Sequence, residues 1–162
     1  SEDEVGHLMK LFRFVLNNES KKMIEEHVRV CFVGDRTIFD EDIRIGMERM
    51  EKETAKDYNI TLHLAMSYGG RAEILAATNA LIAEGLTTVT EEEFSKKLWS
   101  YPMPDPDILI RTGGEQRLSG FLPWQSVYSE LFFVKAVWPE FSEEEFKSII
   151  EKFEERERRH GK

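Results

Sequence analysis

Two arginines, a pair of glycines and a serine follow closely on a short apolar run at 108–110. They are Arg111, Gly113, Gly114, Arg117 and Ser119. Guanidinium groups bind phosphate oxygens through forked hydrogen bonds, and a serine hydroxyl can donate one more. Glycines allow backbone angles that turn successive N–H groups toward one concavity. Together these residues favour a ligand with several oxygens and more than one negative charge, and a diphosphate fits best.

A carboxylate belongs to the same region of the sequence. Glu130 begins the next apolar run, near the same edge of the predicted sheet, where it could bridge the arginines or hold a Mg²⁺ already bound to a phosphate. The spacing alone leaves an alternative open, because Arg111 and Arg117 could pair with Glu115 and Glu130 in a surface network while the glycines only turn the chain. Neither G-x-x-x-x-G-K-[ST] nor G-x-G-x-x-G occurs, so the standard nucleotide-binding loops are not supported.

The elements that must position these residues are predicted from the spacing of apolar side chains. Strands are predicted at 28–33, 60–66, 108–110 and 130–134, and helices at 1–19, 40–57, 71–84, 90–98 and 142–159. Strands that alternate with helices are typical of an α/β fold with a parallel β-sheet flanked by helices. Ligands of such sheets bind beyond the carboxyl ends of the strands. The strand ends at 34–35, 67–71 and 111–114 are therefore expected at one edge.

Composition sets the broad class of the protein. The chain has 162 residues, which suits a single domain at 1–162. Its net charge of −9 argues against broad nucleic-acid binding, although a local anion site can oppose the overall charge. The single cysteine, Cys31, cannot form an internal disulfide, and its apolar neighbours predict a small core residue. No apolar run is long enough for a membrane span and no signal-peptide pattern is present, so a cytoplasmic location is predicted.

Several segments resemble one protein family. The segment ILIRTGGEQRLSGFLPWQSVYSELFF, at 108–133, closely resembles the diphosphate-binding segment of cis-prenyltransferases, the undecaprenyl diphosphate synthase family. HLAMSYGGRAEI, at 63–74, is similar to the family's N-Y-G-G-R strand end, with Ser67 where Asn is usual. VRVCFVGD, LMKLFRFVL and the tail EERERRHGK also match in place, so the resemblance covers essentially the whole chain.

The resemblance implies a reaction and its participants. These enzymes condense isopentenyl diphosphate repeatedly with an allylic diphosphate, form cis double bonds, require Mg²⁺ and work as dimers, so a homodimer is expected. The apolar product is expected to bring the enzyme to the membrane surface. Carried over by position, Arg111, Arg117 and Ser119 would grip isopentenyl diphosphate, and Glu130 would assist that site and its metal. Arg159 and Gly161, in the R-x-G tail, would reach a diphosphate across the dimer interface.

The resemblance also implies a tunnel for the growing chain. Its lining would include Leu8, Leu11, Phe12, Val28 and Ile60, although plain core packing remains an alternative for each of them. The family's first strand and its MDGNGRWA-like segment, whose Asp binds Mg²⁺, have no counterpart in this sequence, because Ser1 aligns after them. No catalytic residue is therefore assigned, the domain is expected to be incomplete at its N-terminus, and this chain alone is expected to be inactive.

Two departures affect the carried-over residues, and two other functions remain open. Gln116 stands where many family members have His, so no metal role is expected there, and Gly120 replaces a common Asn. The chain could instead be a non-catalytic partner subunit of a heteromeric cis-prenyltransferase, although its retained diphosphate contacts speak against that function. It could also be a simple phosphate- or nucleotide-binding module, and titrations with isopentenyl diphosphate and ADP would separate these functions.

Overall fold

The computed structural model describes residues 2–156, and their side chains from residue 6 onward. Its helices and strands, in chain order, are α1 (Glu2–Asn18), α2 (Ser20–Glu25), β1 (Val28–Val33), α3 (Glu41–Glu53), β2 (Ile60–Ala65), α4 (Gly70–Ala83), α5 (Glu91–Ser95), β3 (Ile108–Arg111), β4 (Glu130–Phe133) and α6 (Glu143–Glu154). The predicted α/β class and the four predicted strands are confirmed. Helix α2 was not predicted. It continues the chain after α1, from which a single non-helical residue, Glu19, separates it.

The residues group into two compact units. The first runs up to Tyr68 and includes Leu98–Ser100, and the second comprises Gly69–Lys97 and the chain from Tyr101 onward. Each unit contains one parallel pair of strands, β1 with β2 in the first and β3 with β4 in the second. None of the helices within residues 2–156 has both the length and the apolar character that crossing a membrane requires.

In the first unit, α1 and α3 bury their apolar faces together with β1. The core is made of Phe12, Leu16, Val30, Phe32, Phe39, Ile43, Met47 and Met50.

Outside this core, Arg13 on α1 binds Asp40 at 2.5 Å and Asp42 at 2.6 Å, and the hydrogen bond from Arg13 lowers the pKa of the Asp42 carboxyl. Two of the predicted strand ends meet here, since the N–H of Asp35 donates to the carbonyl of Ser67 at 3.3 Å.

On the edge of β1 that faces away from β2, side chains make hydrogen bonds to the strand's backbone. Val30 N–H donates to the Thr54 hydroxyl at 3.0 Å, and Phe32 N–H donates to the Glu51 carboxylate at 2.8 Å. Arg36 donates to the Phe32 carbonyl at 2.7 Å and to Glu51 at 2.6 Å. Glu51 lies on α3 and Thr54 lies just after it. The helix therefore holds β1 by hydrogen bonds as well as by apolar contact.

In the second unit, local sequence signals set the beginnings of two helices. Thr90 and Glu93 form a capping box at α5, and Ser142 and Glu145 form one at α6. Helix α5 ends at Ser95, before the predicted end at 98. Helix α6 ends at Glu154, before the predicted end at 159.

Thr54→Val is expected to destabilise the protein by about 1–3 kcal/mol, because a buried Val30 N–H would lose its acceptor while the side-chain shape is kept. Thr54 is fully buried, and its hydroxyl also donates to the Met50 carbonyl at 2.8 Å. Urea unfolding followed by circular dichroism measures the change. Thr88→Val, at an exposed loop position, is the matched control and should change the free energy by less than about 0.5 kcal/mol. Equal effects of the two substitutions would contradict the assignment.

Candidate functional site

The structure brings Arg111 and Ser119 together at the carboxyl end of β3. Nη1 of Arg111 donates to Oγ of Ser119 at 2.8 Å and also to the backbone carbonyl of Arg117. Both bonds come from Nη1, so within residues 2–156 the other guanidinium nitrogens keep their N–H donors for a ligand. Because Oγ of Ser119 accepts from Arg111, its hydroxyl proton is turned away from the arginine and can be donated to an anion.

The charge of Arg111 is not offset by the groups that hold it. Its two acceptors, a hydroxyl and a carbonyl, are neutral. Arg117, in contrast, is paired with Glu115, and more than half of each side chain is exposed. Of the surface network that the sequence leaves possible, the ion pair between Arg117 and Glu115 is therefore present. Within residues 2–156, Arg111 pairs with neither Glu115 nor Glu130. Of these two arginines, Arg111 is therefore the one whose partners within residues 2–156 carry no negative charge.

The two glycines do not form the expected concavity of N–H donors. Gly113 and Gly114 do have positive φ angles, 90° and 80°, which favour glycine. Their N–H groups, however, donate to the carbonyls of Ala136 at 2.8 Å and Val134 at 2.9 Å. These bonds continue the pairing of β3 with the chain after β4. The glycines therefore hold the end of the strand, and the candidate donors to an anion here are side chains.

Glu130 lies at the other end of this pair of strands, which corrects the expectation that it shares an edge with Arg111. In the parallel register Glu130 lies beside Ile108, and Arg111 lies beside Phe133. Three residues of strand separate these two levels, or roughly 10 Å. Paired residues face the same side of a sheet and the sides alternate along each strand, so Glu130 and Arg111 also point to opposite faces.

The described residues do not form a metal site. The Glu130 carboxylate is ion-paired with Arg156, whose guanidinium lies 4.8 Å from the centre of the Phe132 ring. Residues 2–156 contain no group of three or more His, Cys, Asp or Glu that could hold a metal ion. One carboxylate, already paired and far from Arg111, does not fit a Mg²⁺ bound beside the arginine. The metal role of Glu130 stays a prediction.

Sequence reasoning missed the residues that hold the Ser119 loop in place. Gly70, at the start of α4, donates its N–H to the carbonyl of Gly120 at 2.8 Å. The carboxylate of Glu73 accepts from the amide nitrogen of Gln125 at 3.0 Å, and both side chains are buried. Both segments resemble family motifs, but fifty residues separate them in the sequence and nothing in their spacing predicts the contact.

The residues expected to line a tunnel have different surroundings. Leu8, Leu11 and Ile60 are more than half exposed, and Val28 is half-buried as the register partner of Ile60. Phe12 is 8% exposed, and its ring centre lies 5.8 Å from that of Phe32 in the core. Phe12 therefore packs in the core, because α1 turns this side chain toward β1. The tunnel role of all five residues remains a prediction.

The tail predicted to reach a diphosphate, with Arg159 and Gly161, lies outside the described residues.

The one cysteine, Cys31, is partly buried, and burial raises the pKa of its thiol. A raised pKa keeps the thiol protonated at neutral pH, so it is not an activated nucleophile.

Comparisons with known proteins agree on one family. The family model described as "Putative undecaprenyl diphosphate synthase" matches residues 1–161. An isoprenyl transferase from Fusobacterium nucleatum subsp. nucleatum is 44% identical over 160 residues, which cover 99% of this chain and 69% of that protein. An isoprenyl transferase from Neisseria gonorrhoeae is 43% identical over 161 residues, 99% of this chain and 65% of that protein. The chain thus spans about two thirds of the length of these relatives.

Two solved structures have the same fold. A probable undecaprenyl diphosphate synthase from Campylobacter jejuni matches with a TM-score of 0.88 at 32% identity, over 100% of this chain and 76% of that one. Lavandulyl diphosphate synthase from Lavandula x intermedia, in complex with dimethylallyl diphosphate, matches with a TM-score of 0.89 at 27% identity. That match covers 100% of this chain and 73% of the lavender enzyme.

Arg111→Ala is expected to weaken binding of inorganic pyrophosphate by roughly ten- to a hundred-fold, the equivalent of one lost charge-assisted contact. Arg117→Ala should weaken it less, because Glu115 already offsets that charge. Isothermal titration calorimetry on the purified protein measures both. Arg44→Ala, which removes an exposed arginine of α3, controls for the change in net charge. Unchanged affinity in Arg111→Ala, or an equal loss in Arg44→Ala, would show that Arg111 is not the main anion contact.

Proposed function

The chain belongs to the undecaprenyl diphosphate synthase family of prenyltransferases, and on that basis we propose that the protein condenses isopentenyl diphosphate with an allylic diphosphate to make a cis-polyprenyl diphosphate. The observation that carries the proposal is the donor set at the end of β3. Arg111 has neutral partners, and Ser119 has a hydroxyl proton to donate. Such a set suits a small polyanion that is held in a fixed orientation.

In the proposed reaction, the double bond of isopentenyl diphosphate attacks the allylic carbon that bears the other diphosphate. A carbon–carbon bond forms, the carbon–oxygen bond breaks, the diphosphate leaves with the electron pair, and a proton is lost from the isopentenyl unit. No side chain is needed as a nucleophile. The task of Arg111 and Ser119 is to bind the isopentenyl diphosphate and orient its double bond, which lowers the barrier by positioning.

Other features of the proposal come from the family and not from the described residues. The lavender neighbour was solved with dimethylallyl diphosphate, which supports an allylic diphosphate as the second substrate here. Mg²⁺ would assist departure of the diphosphate, and Glu130 would contribute one carboxylate to it, since residues 2–156 contain no group of three or more His, Cys, Asp or Glu that could hold the ion by themselves. A homodimer, in which Arg159 and Gly161 of the tail serve a partner's site, belongs to the same proposal. The proposal also includes a cytoplasmic location and peripheral association with the membrane surface, which the apolar product would bring about.

The activity is proposed for the whole protein, since the chain spans about two thirds of its curated relatives. Full-length protein would be supplied with labelled isopentenyl diphosphate, an allylic diphosphate and Mg²⁺, and the extracted polyprenyl product would be examined by NMR for cis double bonds. We expect incorporation of label and new cis double bonds. Absence of incorporation, with activity gained only on addition of a related catalytic chain, would favour the partner-subunit alternative. Binding of ADP in preference to isopentenyl diphosphate would favour a nucleotide-binding module.

Ile60→Ala is expected to shift the products of the full-length enzyme toward longer chains, and Ile60→Trp toward shorter ones. Ile60 begins β2, and the opposite end of that strand leads to the segment at 67–71. Six residues of strand extend roughly 20 Å, a suitable depth for a polyprenyl chain. Chromatography of the labelled products measures chain length. The control is Ile45→Ala at an exposed position of α3, and an unaltered distribution in both Ile60 variants would remove Ile60 from the tunnel.

A further inference from the structure

The first turn of α4 lies against the loop that carries Ser119. The N–H of Gly70 donates to the carbonyl of Gly120 at 2.8 Å, which gives the first free donor of the helix an acceptor. The Cα of Gly70 approaches the loop so closely that an added Cβ would lie 2.1 Å from Cδ of Pro123 and 2.6 Å from the Gly120 carbonyl oxygen. Only a residue without a side chain fits between the helix and the loop here.

The loop itself adopts a conformation that its residues do not favour on their own. Ser119, Gly120 and Leu122 have φ angles of 50°, 79° and 49°. Residues other than glycine seldom occupy this left-handed region, and they remain there when the surrounding structure holds them. The loop conformation therefore depends on its contacts with neighbouring elements.

A second contact ties the same helical turn to the end of the loop. Glu73 lies one turn after Gly70 and is 0% exposed, and its carboxylate accepts from Nε2 of Gln125 at 3.0 Å. Gln125 is 3% exposed. A hydrogen bond between two buried polar groups is strong because little water competes for it, so it holds the two segments in a fixed relation. Gly70 and Glu73 thus fix the loop at both of its ends.

These contacts lead directly to the candidate anion site. Gly120 follows Ser119, and Oγ of Ser119 accepts from Nη1 of Arg111 at 2.8 Å. A shift of Gly120 away from α4 would carry Ser119 with it. The arginine would then lose the acceptor that orients it, and the hydroxyl would lose its direction toward a ligand.

We propose that Gly70 and Glu73 are positioning residues of the diphosphate site, and that they act through Ser119 without touching the ligand. The inference rests on the proposed function in one respect, namely that Arg111 and Ser119 bind a diphosphate. It goes beyond that function because it assigns the precision of the site to a helix fifty residues earlier in the chain.

Two neighbouring glycines offer a matched test. Gly70→Ala adds one methyl group at the contact, and Gly69→Ala adds the same group one residue earlier. At Gly69 the φ angle is −149°, and the added Cβ would meet only Cβ of Ala72 at an ordinary 3.9 Å. Binding of inorganic pyrophosphate to the purified full-length protein is measured by titration calorimetry. We expect Gly70→Ala to weaken binding about ten-fold or more, and Gly69→Ala to leave it within about two-fold.

A double-mutant cycle separates positioning from a general loss of structure. Ser119→Ala removes the group through which Gly70 is proposed to act. In the Ser119→Ala background, Gly70→Ala should therefore add little further loss of pyrophosphate affinity. If Gly70→Ala weakens binding by the same factor with and without the Ser119 hydroxyl, the proposed route through Ser119 is wrong.

A fourth variant covers the case in which Gly70→Ala does not fold, as judged by its circular dichroism and thermal melt. Pro123→Ala removes the ring atoms that pack on Gly70 and adds no bulk, so it loosens the same contact from the loop side. It should weaken pyrophosphate binding in the wild-type background and have little effect in the Ser119→Ala background. Equal effects in both backgrounds would overturn the inference.

The outcomes distinguish this inference from the proposed function. Failure of the wild-type protein to bind pyrophosphate, or unchanged binding in Arg111→Ala, would overturn both. A strong loss in Arg111→Ala together with unchanged binding in Gly70→Ala would keep the proposed function and overturn the positioning role. Equal losses in Gly69→Ala and Gly70→Ala would do the same, because the effect would then not depend on the contact with Pro123.

Discussion

The hydrogen bonds between β3 and β4 determine which atoms of the 108–136 region can reach a ligand. They end β3 at Arg111 and place Glu130 at the far end of the ladder, and the hydrogen bonds that continue the pairing to the chain after β4 take up the N–H groups of Gly113 and Gly114. The side chains of Arg111 and Ser119 are what remains for an anion. A shift of this register by one residue would turn Arg111 to the other face of the sheet and dismantle the site.

Features that depend on neighbouring residues could be predicted from the sequence. The strands at β1 and β3 and the capping boxes at Thr90 and Ser142 follow from local apolar spacing and from side chains three residues apart. The cluster of Arg111 and Ser119 also follows locally, because Arg111 ends β3 and Ser119 lies in the loop that follows it. Family likeness then indicated the chemistry.

Features that depend on distant residues could not be predicted in this way. Local spacing shows that Gly113 is followed by another glycine, but not that Ala136 will accept its hydrogen bond. It shows apolar residues on one face of α1, but not that Phe12 will pack on Phe32. The predicted edge for Glu130 is wrong for the same reason, because nearness in sequence does not give nearness across a parallel pair of strands.

The hydrogen bonds that α3 and Arg36 make to β1 have a consequence for association between chains. The edge of a strand is ordinarily a template on which a strand from another molecule can add, which is a common start of aggregation. Here the N–H groups of Val30 and Phe32 and the carbonyl of Phe32 are already bonded, to Thr54, Glu51 and Arg36. A foreign strand would have to displace a buried hydroxyl and an ion pair before it could pair with β1. Once α3 has docked on β1, this edge is closed to edge-to-edge association.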